Sequence, residues 1–422
     1  MFNLGGFGLV LALLGSSASL GVSTTARVAD VLKRTPLIDG HNDWPDALRE
    51  HEGDKFWSLD LRRSLAAGPG SYDTDMPRLR SGMIGGQFWS VYVSAELPGP
   101  EQVKRTLEQI EFVHSLAERY PETFALARTA ADIRRIHTSG RIASMIGVEG
   151  GGQIDDSLAV LRAYHDLGAS YLTLTHVRTI DWADSATDDP RHGGLTPFGE
   201  SVVRELNRLG MLVDLSHVSE ATMRAALRVS RAPVIFSHSD ARALDDHPRN
   251  VPDAVLKLLA VNGGVVMVSF APGYVSDPYR RWTAELNAEK ARLNSPPYAG
   301  LYIGAPDKAA AELARWRQTN PAPTVTLQMV ADHIEHIVEV AGIDHVGIGS
   351  DFDGVGEPLP VGLSDVSTYP ALFSELARRG WSDAALAKLA GENILRVMAA
   401  AEEVARRESL TPSVAANPRG QR

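Results

Sequence analysis

The sequence of 422 residues contains no cysteine. This absence excludes disulfides, thioether-linked haem and thiolate metal sites, so histidine, aspartate or glutamate would have to hold any transition metal. Net positive charge is also missing, because 52 acidic residues outnumber 42 basic ones and give a formal net charge of −10. An acidic chain without clustered lysine and arginine is a poor match to the phosphates of a nucleic acid. We therefore expect small-molecule partners and no nucleic acid.

Two further features are lacking. No glycine-rich dinucleotide or phosphate loop follows the first apolar run of the folded region, which argues against a Rossmann fold. No apolar stretch reaches the roughly 20 residues that cross a bilayer, so we expect no stable membrane span in the mature chain. The apolar stretch Phe7–Leu14 resembles the core of an export signal, although no lysine or arginine precedes it. We interpret residues 1–26 as a signal peptide or leader, with export if it is a signal peptide and a cytoplasmic location otherwise.

Eight apolar runs have the length and composition of buried strands. They are Leu37–His41, Gln87–Val93, Ile142–Val148, Tyr171–Thr175, Met211–Leu215, Val234–Ser237, Val265–Phe270 and Val346–Gly349. Amphipathic segments with apolar residues at spacings of three and four separate most of them, for example after Glu101 and after Phe198. Eight strands alternating with helices predict an α/β protein with a TIM-like (β/α)8 barrel.

Two regions depart from this alternation. Residues 277–323 are charged, rich in alanine and interrupted by "NSPPYAG" and "NPAP", which predicts a helical excursion before the last strand. Residues 408–422 contain turn formers and little apolar surface, which predicts a disordered tail. We therefore expect one (β/α)8 metallohydrolase domain over residues 27–407.

Polar residues with metal-binding or catalytic chemistry follow six of the predicted strands. They are His41 and Asp43, then Glu149, His176, His217 and His238, and finally Asp351 and Asp353. In a barrel of parallel strands the carboxyl ends open onto one mouth, where such folds build their active sites. One of these histidines alone would more often be structural, but their common position predicts a single site.

The spacing of these residues predicts two metal ions. His41 and Asp43, in "LIDGHNDWP", are two positions apart, so both face one ion if the strand continues. Glu149 is followed by three glycines and can bridge two ions with its two oxygens, while His217 and His238 complete the second set. Mixed nitrogen and oxygen ligands suit zinc better than calcium or magnesium. We therefore predict two Zn²⁺ ions per chain and a hydrolytic reaction.

Several longer motifs resemble those of the renal, or membrane, dipeptidase family of binuclear zinc hydrolases. They are "LIDGHNDWP", "GVEGGG", "YLTLTHV", "GLTPFGESVVRELNRLGMLVDLSHVS", "PVIFSHSDARAL", "HPRNVPD", "HVGIGSDFDGV" and "GENILRV", in this order from about Thr35 to Met398. The resemblance to this amidohydrolase-like peptidase family implies a TIM-like barrel and the hydrolysis of dipeptides. Some members accept a D-residue at the carboxyl side or open a β-lactam.

The resemblance also implies roles for individual residues. It gives the two zinc ions the same ligands as the spacing does, with Glu149 shared, and a hydroxide between the ions attacks the peptide bond. It assigns the substrate's carbonyl oxygen to His176 and its terminal carboxylate to Arg249. It makes Asp351 the group that moves a proton to the leaving amine. A homodimer is a further expectation from family likeness and symmetry.

Some positions stay open at this stage. Spacing does not separate Asp351 from Asp353, but Asp353 precedes Gly354 and suits a turn. Asp39 is expected to form buried hydrogen bonds below the metals. Tyr274 and Trp44 are candidates to line the substrate pocket. The chain lacks the cysteines and carboxyl-terminal lipid-anchor signal of mammalian members, so glycolipid anchoring is not expected.

Two other functions fit part of the pattern. Another binuclear amidohydrolase, acting on cyclic amides, β-lactams or lactones, would be expected to carry His-x-His on its first strand, and this chain has His41-x-Asp43. A binding protein that has kept the fold but lost catalysis would not need the complete ligand set together with Asp351. We therefore predict a metallo-dipeptidase of the membrane dipeptidase type.

Overall fold

The computed structural model describes residues 23–53, 59–66, 72–296, 301–355 and 358–410. The sheet in this part of the chain has nine strands, all paired in parallel. The strands are β1 (Leu37–Asn42), β2 (Ile84–Tyr92), β3 (Phe124–Leu126), β4 (Ile142–Glu149), β5 (Ala169–Thr173), β6 (Leu212–Asp214), β7 (Ile235–Phe236), β8 (Val265–Val268) and β9 (Val346–Ile348).

Eight of the nine strands close into a ring. The closure arises because β2 pairs with β1 on one side and with β4 on the other, in a register that runs from Gly86 opposite Ala143 to Tyr92 opposite Glu149. The remaining strand, β3, pairs with the first residues of β4 and lies outside the ring. The predicted (β/α)8 barrel is confirmed, and each of the eight predicted strands overlaps one strand of the ring.

Helices surround this barrel and follow most of its strands. They are α1 (Thr24–Arg34), α2 (Trp44–Glu52), α3 (Met76–Ser81), α4 (Gly99–Arg119), α5 (Ala130–Thr138), α6 (Leu158–Asp166), α7 (Pro197–Leu209), α8 (Glu220–Val229), α9 (Asp253–Asn262), α10 (Pro272–Val275), α11 (Asp277–Asn294), α12 (Pro306–Thr319), α13 (Leu327–Ala341), α14 (Tyr369–Arg378), α15 (Asp383–Ala387) and α16 (Asn393–Leu410). None of the helices in the described ranges is long and apolar enough to cross a membrane.

Helix α7 shows how local sequence sets these elements. The hydroxyl of Thr196 accepts a hydrogen bond from the backbone of Gly199 at the start of the helix, and Pro197 supplies a fixed φ there. Gly210 ends the helix in the left-handed region, with φ of 75°. Its buried apolar residues, among them Val202 and Leu206, join the core between helices and barrel. The helix therefore closely matches the segment predicted from apolar spacing.

The predicted helical excursion lies where the sequence indicates, between β8 and β9. Helices α11 and α12 form it, and Trp282 packs against Tyr279 and Trp316 with ring centroids 5.4 and 6.2 Å away. At the carboxyl end, α16 continues to Leu410, past the predicted start of the tail at residue 408. The predicted leader up to residue 22 and the tail from 411 onward lie outside the described residues.

Two buried aspartates cross-link neighbouring strands below the barrel mouth. Asp214, the last residue of β6, accepts hydrogen bonds at Oδ1 from the backbone of Ser216 and Ser237 and at Oδ2 from the hydroxyls of Thr173 and Ser237. Asp39 in β1 accepts bonds in the same way from the backbone and hydroxyl of Ser350, which follows β9. The expected buried role of Asp39 is confirmed. Both carboxylates tie adjacent strands together where the functional side chains emerge.

We expect Asp214→Ala to lower the free energy of unfolding by about 3 kcal/mol or more, because several buried donors lose a charged acceptor. Chemical denaturation in the presence of a chelator measures this loss without a contribution from bound metal. Asp246→Ala, at an exposed loop position, is the matched control and should change the value by less than about 0.5 kcal/mol. An Asp214→Ala chain as stable as this control would contradict the proposed cross-link.

Candidate metal centre

The strand ends bring the predicted metal ligands into one buried cluster. His41 lies in β1 and Asp43 directly follows that strand, Glu149 ends β4, and His217 and His238 come shortly after β6 and β7. All five are at most 8% exposed to solvent. The barrel therefore collects residues that are far apart in sequence around one point, as the pattern of strand ends predicts.

One carboxylate oxygen, Oε1 of Glu149, lies at the centre of this cluster. The distances from Oε1 to the Nε2 atoms of four histidines are 3.5 Å for His41, 3.8 Å for His176, 3.0 Å for His217 and 3.3 Å for His238. The other oxygen, Oε2, accepts a hydrogen bond from the hydroxyl of a serine in β2. Glu149 is thus placed between the two groups of potential ligands.

Among the described residues, three sets of three have ligand atoms within 4.8 Å of one another. The sets are His41 with Asp43 and Glu149, Glu149 with His217 and His238, and His41 with His238 and Asp351. The first two match the sets expected from spacing and from the family resemblance. The third shows that Asp351 also lies within reach of a metal ion.

The hydrogen bonds behind the histidines suit metal binding. Tyr171 donates its hydroxyl proton to the carbonyl of Gly40, so Nδ1–H of His41 can donate to the Tyr171 oxygen, 3.0 Å away. In the neutral, metal-binding form of His41, Nε2 then carries a lone pair that points toward the carboxylate of Asp43, 3.2 Å away. The Nε2 atom of His41 is buried and has no hydrogen-bond partner among the described residues. A cation between these two atoms would relieve their repulsion.

His238 has the same arrangement. The Ser237 hydroxyl donates to Asp214, which leaves its oxygen free to accept Nδ1–H of His238 at 2.8 Å. The lone pair of His238 Nε2 then faces Glu149 and His217, and the two histidine Nε2 atoms are only 2.9 Å apart. The residues present therefore fit a metal centre with nitrogen and oxygen ligands.

Charge and burial favour cation binding at this point. Burial lowers the pKa of both His217 and His238 well below the ordinary value, so both are neutral and able to coordinate. Burial by itself raises the pKa of Glu149, but interactions with His41 and His176 and hydrogen bonds with His217 and His41 hold it well below its usual range. Burial by itself lowers the pKa of His41, but Tyr171, Glu149 and Asp43 raise it well above its ordinary value, so a proton takes the place of a cation there when no metal is bound. Burial also lowers the pKa of His176, which leaves a neutral imidazole at the edge of the cluster.

Asp351 and Asp353 follow β9, and the structure separates them. The carboxylate of Asp351 lies 4.0 Å from Nε2 of His41, and burial together with the charge of Asp43 raises the pKa of Asp351 well above its ordinary value. Asp353 instead forms the predicted turn, and its Oδ1 accepts a hydrogen bond from the backbone of Asp73 at 2.7 Å. The position in space thus distinguishes two residues that spacing alone could not.

Backbone strain accompanies the site. His217 and Asp351 adopt φ values of 68° and 67°, which side-chain-bearing residues rarely take up. A Cβ atom on Gly354 would lie 2.2 Å from Oδ2 of Asp43 and 2.8 Å from Oδ1 of Asp351, so only glycine fits there. These backbone conformations set the direction in which the side chains enter the mouth.

A cavity of about 450 Å³ opens above the cluster. Its wall includes Tyr274, as expected, and also Tyr92, Asp46 and Glu50, which the sequence patterns did not single out. Trp44, the other aromatic candidate for this pocket, is fully buried and packs against Trp89 in β2 with ring centroids 5.6 Å apart. The expectation for Trp44 is therefore wrong, because a neighbour distant in sequence covers its ring.

Arg249 lies directly behind this cavity wall. Its guanidinium donates hydrogen bonds to the hydroxyl of Ser239 at 3.2 Å and to the carbonyl of His238 at 3.1 Å, and it stacks on the Tyr274 ring with its Cζ 5.1 Å from the centroid. Only 1% of Arg249 is exposed, its Nε has no hydrogen-bond partner among the described residues, and its charge interacts with the buried carboxyl groups of Asp240 and Asp351. A loop position by itself would predict a surface arginine, so its burial favours a role in the site.

Comparison with known proteins agrees with this geometry. A family model described as membrane dipeptidase (peptidase family M19) matches residues 25–412. The chain belongs to this family. Among curated relatives, the dipeptidase aclJ of Aspergillus oryzae is 42% identical over 386 residues, covering 89% of this chain and 80% of the relative. The dipeptidase verJ of Clonostachys rogersoniana is 40% identical over 394 residues, covering 90% and 87% respectively.

A solved structure shows the same architecture. The probable dipeptidase PvdM from Pseudomonas aeruginosa matches 90% of this M19 chain and 99% of its own length, with a TM-score of 0.73 and 27% identity. Fold and family membership are thus consistent with the candidate metal centre.

Three residues behind the ligands were missed by the sequence patterns. They are Tyr171 beside His41, and Ser237 and Asp214 behind His238. A signal for Asp214 was present in this M19 sequence, since "IDGH" and "VDLSH" both carry an aspartate shortly before a ligand histidine. Tyr171 gave no such signal, because its partner lies on a strand 130 positions away.

We expect Tyr171→Phe to weaken zinc binding by about 10- to 100-fold, because His41 loses the hydroxyl that orients its ring. Competition against a chromophoric zinc chelator measures the affinity without relying on catalysis. Tyr120→Phe is the matched control, since that buried tyrosine bonds to the backbone near Leu59, away from the ligands. Equal zinc affinity in both variants would show that the Tyr171 hydroxyl does not support the centre.

Proposed function

We propose that the protein is a zinc-dependent dipeptidase that hydrolyses the peptide bond of L-L dipeptides and of dipeptides with a D-residue at the carboxyl side. The observation that carries this proposal is the pair of three-residue ligand sets sharing Glu149, at the base of a cavity with a buried arginine behind its wall. Membership of the M19 family and the two fungal dipeptidases among the relatives support it.

We assign the zinc ligands as the sequence predicts, with His41, Asp43 and Glu149 for one ion and Glu149, His217 and His238 for the other. When bound, two such ions supply Lewis-acid polarisation of a carbonyl and a water molecule of lowered pKa. The two ligand sets share Glu149 and are buried, and Nε2 of His41 has no hydrogen-bond partner among the described residues. These observations support the assignment.

Two side chains at the edge of the cluster handle the reacting groups. His176 borders the cavity next to Glu149, and its Nε2 is in a position to hydrogen-bond the substrate's carbonyl oxygen as negative charge develops there. Asp351 also borders the cavity, and we assign it the transfer of a proton from the attacking water to the leaving amine. The positions of both side chains relative to the ligands support these roles.

Arg249 and Tyr274 define the end of the substrate. A planar guanidinium can hold a carboxylate with two parallel hydrogen bonds, and the hydrogen bonds of Arg249 to other described residues go to a hydroxyl and a carbonyl. A fixed distance between the metal ligands and Arg249 would allow one residue between the scissile bond and the terminal carboxylate. This arrangement favours dipeptides over longer peptides.

A second binuclear amidohydrolase activity, on cyclic amides, β-lactams or lactones, would use the same cluster. Such substrates lack the terminal carboxylate of a dipeptide or carry it at another distance. The buried Arg249 behind the cavity therefore favours a dipeptide. Export, which the apolar stretch Phe7–Leu14 indicates, and a homodimer, which symmetry and family likeness favour, remain predictions.

One substrate panel on a single zinc-loaded preparation tests the proposal. We expect turnover of L-L and L-D dipeptides and little turnover of the matching D-L dipeptides and tripeptides. Turnover of a β-lactam and a lactone should be slower, because these two substrates do not place a carboxylate on Arg249. Release of free amino acids measures the peptides, and absorbance measures the cyclic substrates. Faster turnover of lactones than of any dipeptide would favour the second activity, and no dipeptide turnover at all would refute the first.

We expect Asp351→Asn to lower kcat by about a hundredfold or more while the bound zinc stays constant, because the amide keeps the shape and loses the proton transfer. Steady-state kinetics together with elemental analysis of the same sample measures both quantities. Asp353→Asn is the matched control two residues away and should keep most of the activity. Loss of zinc in Asp351→Asn would instead identify Asp351 as a ligand, as the third residue set allows.

A further inference from the structure

A histidine outside the metal cluster joins the two segments that carry Arg249 and Tyr274. His333 lies in α13 and is only 1% exposed. Its Nδ1 accepts a hydrogen bond from the backbone N–H of Ala241 at 3.1 Å, and its Nε2 lies 3.1 Å from the carbonyl of Val275. Since an N–H group can only donate, the Ala241 bond fixes the tautomer, and Nε2–H donates to Val275.

Each of the two hydrogen bonds of His333 lies next to one member of the arginine–tyrosine pair, which is formed by Arg249 and Tyr274. Ala241 forms a β-bridge with Val251, two residues after Arg249. The loop between these two residues carries Arg249 and is named the arginine loop, and a shift of Ala241 would move its base. Val275 is the residue after Tyr274 in α10, and the Tyr274 ring stacks on the guanidinium. His333 therefore spans the two segments on the side away from the cavity.

A second bond between the same segments does not replace the histidine. The side-chain amide of Asn250 donates to the carbonyl of Tyr274 at 2.8 Å, which fixes one point of contact between the arginine loop and α10. The rings of His247 and Tyr274, with centroids 4.8 Å apart, and the bond from Arg280 to Asp245 also link these parts of the chain. His333 differs from these contacts because it anchors both segments to a helix of the barrel wall, and it thereby helps to fix the distance and the angle between Arg249 and Tyr274.

From this geometry we infer that His333 is a positioning residue, which holds the arginine loop and α10 so that Arg249 meets the terminal carboxylate of the substrate. This role rests on the proposed dipeptidase function, because it concerns how that site recognises the carboxyl end of the substrate. His333 itself does not touch the substrate. Burial lowers the pKa of His333 to about 4, so the ring keeps the neutral form that both hydrogen bonds require.

The test compares two ligands that differ only at the carboxyl end. A phosphinate analogue of a dipeptide, which mimics the tetrahedral transition state, is prepared with a free carboxylate and as the carboxamide. Calorimetry on the zinc-loaded protein gives both dissociation constants. We expect His333→Phe, which keeps a ring but loses both hydrogen bonds, to weaken binding of the carboxylate form by about tenfold and to change the carboxamide form by less than about twofold.

Two further variants separate positioning from simple damage. His333→Gln keeps one acceptor and one donor and should restore most of the carboxylate affinity. His336→Phe, three residues further along α13, removes a bond to Asp253 outside the arginine–tyrosine pair and should leave both ligands unaffected. In dipeptide hydrolysis, His333→Phe should raise KM with kcat nearly unchanged.

Each contrary result has a definite meaning. Equal loss of both ligands in His333→Phe, or a loss no larger than in His336→Phe, would overturn the positioning role. If neither phosphinate binds the unaltered protein, the proposed function itself fails and the inference falls with it. Should His333→Phe not fold, hydrogen–deuterium exchange of the unaltered protein decides: the segments around Ala241 and Val275 must gain more protection from the carboxylate form than from the carboxamide, and equal protection overturns the inference.

Discussion

The convergence of four histidines on one buried carboxylate is the constraint on which the rest of the site depends. Four imidazole nitrogens lie within 3.8 Å of Oε1 of Glu149, and each comes from a different strand end. The register of β4 with β2 and β5 fixes where this oxygen stands. Correct closure of the barrel therefore assembles the ligand sets, because a strand out of register would place its ligand away from the others.

Much of this arrangement could be predicted because its signals are local in the sequence. A short apolar run followed by a metal-binding residue is visible in "LIDGHNDWP" or "PVIFSH" without knowledge of any distant contact. The parallel barrel then does the rest, because it places every carboxyl end at one mouth. The same logic predicted the burial of Asp39, which bonds to residues after β9.

Other features depend on contacts that no local pattern carries. Strand β3 has three residues and gives too short a signal to distinguish from a loop. The sequence makes Trp44 a candidate pocket residue, but Trp89 covers its ring in the structure. Tyr171 contacts His41 across the barrel interior. His333 lies on a regular amphipathic helix, where a buried histidine resembles any other core position. In each case the missing information is the identity of a neighbour distant in sequence.

The burial of Arg249 has a consequence for selectivity. Removing a guanidinium from water is unfavourable. A hydroxyl, a carbonyl, an aromatic face and the nearby carboxyl groups of Asp240 and Asp351 compensate part of that loss, while Nε of Arg249 has no hydrogen-bond partner among the described residues. In the role proposed for Arg249, a ligand with a carboxylate would pair with the guanidinium, whereas a neutral ligand of the same shape would leave it buried and unpaired. Discrimination at this position would then come as much from the penalty on the wrong ligand as from attraction to the right one.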